Sequence, residues 1–453
     1  MATYIQNQII NQIMKNKFTL ALAFFITALT AFAQAPDKTK LDQYFAALEA
    51  NNKFMGSVSI SQDGKTVYSK SLGFADAEKG TKNNENTKFR IGSISKTFTT
   101  VLIFKAIEEN KLKLTDNLSS YYADVPNASK ITIANMLNHH SGIHSFTDDQ
   151  DYTTWMTEPK TEAELSAIIA KSPSEFEPGT KGEYSNSNFV LLSFILQKVY
   201  KKPFKTLIEE KITKPLALKN TFYGGKINPA NNEAYSYEYS GKWEKSTETE
   251  MSVPMGAGAI VSTPNDLSRF IEALFAGKLI STENLENMKT ITDNYGMGMF
   301  SFPFNEKTGY GHTGGIDGFS SMLCYFPEDK VSFALICNGN NYTNNSIAIA
   351  GLSWIFKEPF EIPDLKTITY TDEELNKYTG TYTTDQMPLS FIIAKKNNIL
   401  TAQATGQGVF PLESSEKNIF KFNPAGITIT FNPEAKNFLI LQGGSGVTFT
   451  KKE

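Results

Sequence analysis

Apolar positions recur with two different periods along this chain, and the change from one to the other falls near residue 360. Residues 56–72 alternate around Asp63-Gly64, which predicts a β-hairpin. Ile94, Phe98, Val101, Leu102, Ala106 and Ile107 fall three and four apart and predict a helix over 94–109. Leu165–Ala170, Phe189–Val199 and Ser346–Phe356 read as further helices. Asp266–Ala276 is another, with Ser262-Thr263-Pro264 as its start signal. Ser320–Tyr325 and Val331–Cys337 read as strands. Strands therefore lie at both ends of this region and helices fill its middle. That order predicts an α/β (α+β) domain whose sheet is completed by distant segments.

Beyond Phe356 the texture changes. Pro359 and Pro363 mark a linker over 359–366. From 367 to 453 the chain is short alternating strands: Tyr378–Tyr382, Leu389–Ala394, Ile399–Ala404, Ile419–Phe422, Ile427–Phe431, Phe438–Gln442 and Val447–Thr450. This predicts a separate all-β module, a small barrel or sandwich.

A length of 453 residues fits more than one domain. Hydrophobic residues make up 40% and charged residues 20%, with a net charge of −3 spread along the chain, so neither nucleic acid nor a membrane surface is an expected partner. The N-terminus carries more information. Lys15 and Lys17 precede the apolar run Phe18–Ala31, and Ala31-Phe32-Ala33 is a small-x-small cleavage pattern before Gln34. Residues 1–33 thus read as a secretory signal, with Met1 or Met14 as its start, and the remainder as a periplasmic or secreted protein with no stable membrane anchor. The apolar run is too short for a spanning helix, which needs about 20 residues. The hydrolytic region is then 34–358. Cys324 and Cys337 flank a hairpin turn at Pro327–Lys330. Cys324 falls opposite Val331–Phe333 and Cys337 nearer Ser320, an offset that no disulfide spans.

Ser93-Ile94-Ser95-Lys96 is an S-x-x-K sequence at the start of an apolar helix. A serine there has free backbone N–H groups close to its hydroxyl, and the lysine lies one turn on, on the same face. A buried lysine can lose its charge and take the serine proton. The spacing alone does not discriminate, because Ser414-Ser415-Glu416-Lys417 has it too, in the β-rich tail, where it reads as a polar turn. Tyr184-Ser185-Asn186 has a second copy of its form in Tyr342-Thr343-Asn344. His312-Thr313-Gly314 has one in His140-Ser141-Gly142. Lys307-Thr308-Gly309 also competes with His312-Thr313-Gly314, but only the latter is followed by Gly315 and the Gly318-Phe319 strand entry. His139, His140 and His144 could suggest a metal. Ser141-Gly142 interrupts any helix that would align them, and no cofactor is expected.

Order separates the signals from their copies. Ser93 opens a helix, Tyr184 follows in a loop, and His312 opens a late strand. In this the chain resembles the serine β-lactamase-like hydrolases: class C β-lactamases, D-Ala-D-Ala carboxypeptidases, D-aminopeptidases and related esterases. The resemblance covers roughly residues 40–356 and includes Phe89–Gly92, Leu137–Gly142, Pro178-Gly179, Gly258–Asp266 and Gly314–Phe319. It implies an antiparallel sheet with helices on both faces plus a helical subdomain. It implies an acyl-enzyme on Ser93, with Lys96 and Tyr184 sharing the base work. Asn186, His312, Thr313 and Gly314 would bind substrate. The backbone N–H groups of Ser93 and Gly315 would form an oxyanion hole.

His312 stands where efficient β-lactamases of this resemblance usually carry a lysine, and histidine is mostly neutral near pH 7. The chain has two arginines, Arg90 and Arg269, neither placed to grip a substrate carboxylate. The expected substrate is therefore a peptide or small molecule cleaved at an amide or ester, ahead of a β-lactam. A non-catalytic β-lactam sensor is the alternative from another class. The complete Ser93, Lys96, Tyr184 and Asn186 set argues against it.

Overall fold

The computed structural model describes residues 37–452, so the expected signal segment and its expected cleavage point lie outside the described residues. Six antiparallel strands form the main sheet, in the spatial order Phe300–Phe304, Lys307–Ile316, Phe319–Phe326, Val331–Asn340, Phe54–Gln62 and Lys65–Leu72. The N-terminal hairpin is thus laid beside strands from nearly 300 residues later, with Val58 opposite Leu335. Distant segments do complete the sheet. A short hairpin, Tyr237–Tyr239 and Trp243–Lys245, joins it where Tyr237 pairs with Gly339.

Both sheet faces are covered, which is why Val331–Asn340 reads as a nearly continuous apolar run. Phe333, Leu335 and Cys337 face one core, under the helices Thr39–Ala50 and Asn344–Phe356. Ala334 and Ile336 face the other, larger core, which holds Ser95–Glu108, Asn186–Tyr200 and Pro264–Phe275. There Phe98 stacks on Phe270 at 3.7 Å between ring centroids. The Pro264–Phe275 helix starts where its signal sits: the Thr263 hydroxyl accepts from the Asp266 amide at 3.3 Å, with proline at the first turn. Cys324 lies opposite Phe333 and Cys337 opposite Ser320, both thiols free and buried, as the offset required.

The tail is a closed eight-stranded barrel running from Gly380–Thr383 to Ser445–Lys451, its ends joined where Thr383 pairs with Thr450. Closure removes the exposed edges that an open sheet would present. Tyr382, Phe391, Phe431, Phe438 and Phe449 fill it. Seven of its strands follow the alternation in the sequence. The eighth, Val409–Glu416, alternates in burial, with Phe410, Leu412 and Ser414 facing in, but the exposed Val409, Pro411 and the buried Ser414 hide that in the sequence. Ser414-Ser415-Glu416 is accordingly the bulged end of a strand, followed by a turn at Lys417. The Ser414 hydroxyl is tied to the Glu416 carbonyl at 2.6 Å and to Tyr370 at 3.0 Å.

Two contacts hold the barrel to the preceding region. Lys53, almost fully buried, pairs with Glu413, whose other oxygen accepts from Asn341 at 2.6 Å. The Asn397 amide donates to the Ser240 carbonyl at 2.8 Å, and Lys396 pairs with Glu244. The second contact seats the barrel against the Tyr237–Lys245 hairpin, one wall of the cavity described below.

Candidate active site

The strand pair Phe89–Arg90 and Ile260–Ser262 leads the chain into a tight turn, Gly92–Ile94, that runs straight into the Ser95–Glu108 helix. Gly92 has φ +51°, and a Cβ there would lie 2.7 Å from both the nitrogen and the oxygen of Gly315. Only glycine allows that approach. The turn leaves Ser93 partly open to a cavity, while Ser95–Phe104 are buried on every side.

Lys96 is completely buried. Its Nζ lies 2.9 Å from Ser93 Oγ, 2.7 Å from Asn186 Oδ1 and 2.9 Å from the Ala257 carbonyl. Among the described residues no carboxylate pairs with it, its three partners being Ser93, Asn186 and Ala257. Burial therefore pushes its pKa well below the usual lysine value. The Asn186 amide is oriented from its other end, where Nδ2 donates to Thr147 Oγ1 at 2.9 Å.

Tyr184 comes from the loop before the Asn186–Tyr200 helix. Its hydroxyl is hydrogen-bonded to Ser93, and its ring lies 4.8 Å from Lys96 Nζ. Burial raises its pKa despite the Ser93 bond, so the phenol stays protonated. His139 stacks on this ring at 4.5 Å between centroids, while its Nδ1 accepts from the Ser185 amide at 3.1 Å. Burial drives the His139 pKa well down. The neighbouring histidines go elsewhere: His140 to Asp293 at 3.1 Å, and His144 to Glu175 and Asp149 at 2.6 and 2.9 Å. The first His of that segment is thus a prop for Tyr184, a role the sequence reading did not assign.

On the Lys307–Ile316 strand, side-chain alternation divides the His312 segment. Thr313 and Gly315 face outward, whereas His312 and Gly314 face in. His312 is 1% exposed, packed against Phe300 at 4.4 Å and Tyr184 at 6.4 Å between rings. Burial pushes its pKa down to about 3. It stands behind Tyr184, outside the cavity lining. Gly314 is close-packed: a Cβ there would meet the Ile91 carbonyl oxygen at 2.1 Å and lie 3.0 Å from the Ser93 nitrogen. A Cβ on Gly315 would find nothing nearer than 4.0 Å. Of the four residues expected to meet substrate, Asn186 lines the cavity, Thr313 is exposed near it, and His312 and Gly314 support it from inside. Lys307, of the competing K-T-G, begins this same strand and pairs with Asp329 at 2.7 Å.

The cavity measures about 440 Å³. Ser93, Asn186 and Gly315 lie in it with Phe146, Tyr152, Glu238 and Asp317 among the other walls. Among the described residues, no lysine, arginine or histidine lines it. Asp317 is paired with the buried Arg90 at 2.7 Å and accepts from the Thr249 hydroxyl at 2.7 Å. Arg90 also donates to the Thr249 and Gly225 carbonyls, so it is consumed in holding the wall together. Arg269 is exposed on the Pro264–Phe275 helix.

This arrangement has known relatives. Residues 41–351 match the family model described as Beta-lactamase. A teichoic acid D-alanine hydrolase of Staphylococcus aureus (strain MRSA252) is 29% identical over 315 residues, covering 68% of this chain and 75% of that protein. The crystal structure of a D-stereospecific amidohydrolase from Streptomyces sp. superposes with a TM-score of 0.58 at 26% identity, over 67% of this chain and 95% of that one. The octameric penicillin-binding protein homologue from Pyrococcus abyssi shares the fold over 91% of this chain and all of its own, with a TM-score of 0.64 at 22% identity. That span is long enough to reach into the barrel. The chain belongs to the Beta-lactamase family and is a serine hydrolase.

Proposed function

We propose that this protein is an exported hydrolase that cleaves amides or esters through an acyl-enzyme on Ser93, of the peptidase or esterase type rather than a dedicated β-lactamase. The observation that carries the reading is the hydrogen-bond balance at Lys96. A neutral amine has two N–H groups and one lone pair. Three oxygens surround Lys96 Nζ, those of Ser93, Asn186 and Ala257, and with burial pushing its pKa down the neutral amine gives its N–H groups to Asn186 Oδ1 and the Ala257 carbonyl and takes the Ser93 proton on its lone pair. Lys96 is then the base and the protonated Tyr184 the donor.

Ser93 Oγ attacks the substrate carbonyl as its proton passes to Lys96 Nζ. The oxyanion forms between the N–H groups of Ser93 and Gly315, whose backbones Gly92 and Gly314 bring into contact. Tyr184 gives its proton to the leaving group and recovers one from Lys96. Water then attacks the ester on Ser93 by the same route in reverse, its proton returning to Lys96 and onward to Ser93 Oγ.

The substrate class rests on the cavity and on the named relatives. A β-lactam or a C-terminal peptide brings a carboxylate, and no cation lines this cavity to receive it. The teichoic acid D-alanine hydrolase and the D-stereospecific amidohydrolase are both named for aminoacyl or D-configured substrates. A panel of nitrocefin, a D-Ala-D-Ala peptide, D-amino acid amides and short esters tests the reading. Turnover of amides or esters well above nitrocefin is expected. Nitrocefin as the best substrate overturns it.

A further inference from the structure

Arg90 and Asp317 form an ion pair at 2.7 Å in which the side chains are 2% and 0% exposed. Arg90 also donates to the carbonyls of Thr249 at 2.8 Å and Gly225 at 2.9 Å, and lies 3.4 Å from Glu248. The other oxygen of Asp317 accepts from the Thr249 amide at 2.9 Å and from the Thr249 hydroxyl at 2.7 Å. Burying two charges costs about as much as their attraction returns, so stability alone is a poor reason for such a pair. The turn does not call for it either. Asp317-Gly318 joins two strands with Asp317 at φ +54°, a conformation that aspartate and asparagine tolerate alike.

The two segments that the pair joins are specific. Arg90 stands three residues before Ser93, and Asp317 two residues after Gly315. Between these anchors the two backbones touch, where Gly92 meets Gly315 and Gly314 meets Ile91. A second tie crosses the same contact, the Ser321 hydroxyl donating to the Ile91 carbonyl at 2.8 Å. Resting on the acyl-enzyme reading above, we propose that the Arg90–Asp317 pair is a staple that sets the spacing of the Ser93 and Gly315 amides, both residues being positioning residues for the oxyanion hole. The glycines limit how closely the two backbones approach, and the ion pair keeps them from separating. Thr249, bonded to both charged groups, ties them to a third wall of the cavity. Neither Arg90 nor Asp317 takes part in the bond-breaking steps.

The test compares 4-nitrophenyl acetate with its thiono form, in which sulfur replaces the carbonyl oxygen. Sulfur is larger and accepts hydrogen bonds poorly, so it gains little from a closely spaced pair of amides. The readout is the oxygen-to-thiono ratio of kcat/KM, which does not depend on how much of a variant is folded. In Asp317→Asn the oxygen ester should lose roughly 10- to 100-fold and the thiono ester clearly less, so that the ratio falls at least about threefold. Thr249→Val, which removes one donor to Asp317 at nearly constant shape, should lower the ratio in the same direction by less. A ratio unchanged in folded Asp317→Asn, or in Thr249→Val should the first variant not fold, overturns the proposal and leaves the pair a role in folding alone. If Ser93→Ala abolishes turnover of both esters, the hydrolase reading stands although this proposal falls. Hydrolysis that survives Ser93→Ala, or a wild type that cleaves neither ester, overturns both.

Discussion

Gly92 and Gly315 lie backbone to backbone, so close that a single methyl group on Gly92 would sit 2.7 Å from the Gly315 nitrogen. One residue precedes the nucleophile and the other lies on the far strand. Their contact sets the distance between the two amides, of Ser93 and Gly315, proposed to hold the substrate oxygen. Gly92→Ala should therefore damage acylation far more than binding. The expected loss is about 100-fold or more in kcat/KM, the usual size for one displaced oxyanion donor. Gly315→Ala, where a Cβ has room, should fold normally and lose activity only towards bulky acyl groups. Kinetics on a small and a large ester separate the two.

Lys96 should set the pH dependence. Its folded pKa is depressed by burial, and the proposed base role uses the uncharged amine. Activity should thus rise with pH through that lowered value and level off well below the ordinary lysine range. Stability should follow the same sign. Between the folded and unfolded pKa values the unfolded chain binds more protons at this site, so its contribution to stability grows as pH rises. Lys96→Met should remove the limb and lower acylation by roughly 10²–10⁴-fold. A profile that keeps the limb in Lys96→Met contradicts the assignment of the base.

His312 should contribute nothing to that limb. Burial holds it neutral behind Tyr184 by pushing its pKa down to about 3. His312→Gln should keep the shape of the pH profile and reduce its height, because Tyr184 loses a packed neighbour. Movement of the limb in this variant would return the titration to His312.

The barrel should be held by the Lys53–Glu413 pair. Lys53→Ala leaves a mostly buried carboxylate with Asn341 as its remaining partner and should cost about 3–5 kcal/mol in thermal or denaturant unfolding. Replacing both, as Lys53→Met with Glu413→Leu, should recover most of that loss.

Much of this was legible in the sequence because period carries burial. The nucleophile helix, the Asp63-Gly64 hairpin and the cysteine offset all follow from spacing. Val409–Glu416 was not legible, since an apolar residue faces out at Val409 and a serine faces in at Ser414, so residue type does not follow the burial alternation that closure imposes. The His312 segment shows a different limit. Alternation separates Thr313 and Gly315 from His312 and Gly314, but which face meets the cavity depends on the turn at Gly92, more than 200 residues away.

The most direct measurement of the account is the intact mass of the protein after brief exposure to a slowly released acyl donor, with tryptic mapping of the adduct. A single acyl group on Ser93 is predicted, absent in Ser93→Ala and retained in Ser414→Ala. An adduct that persists in Ser93→Ala, or that maps to another residue, contradicts it.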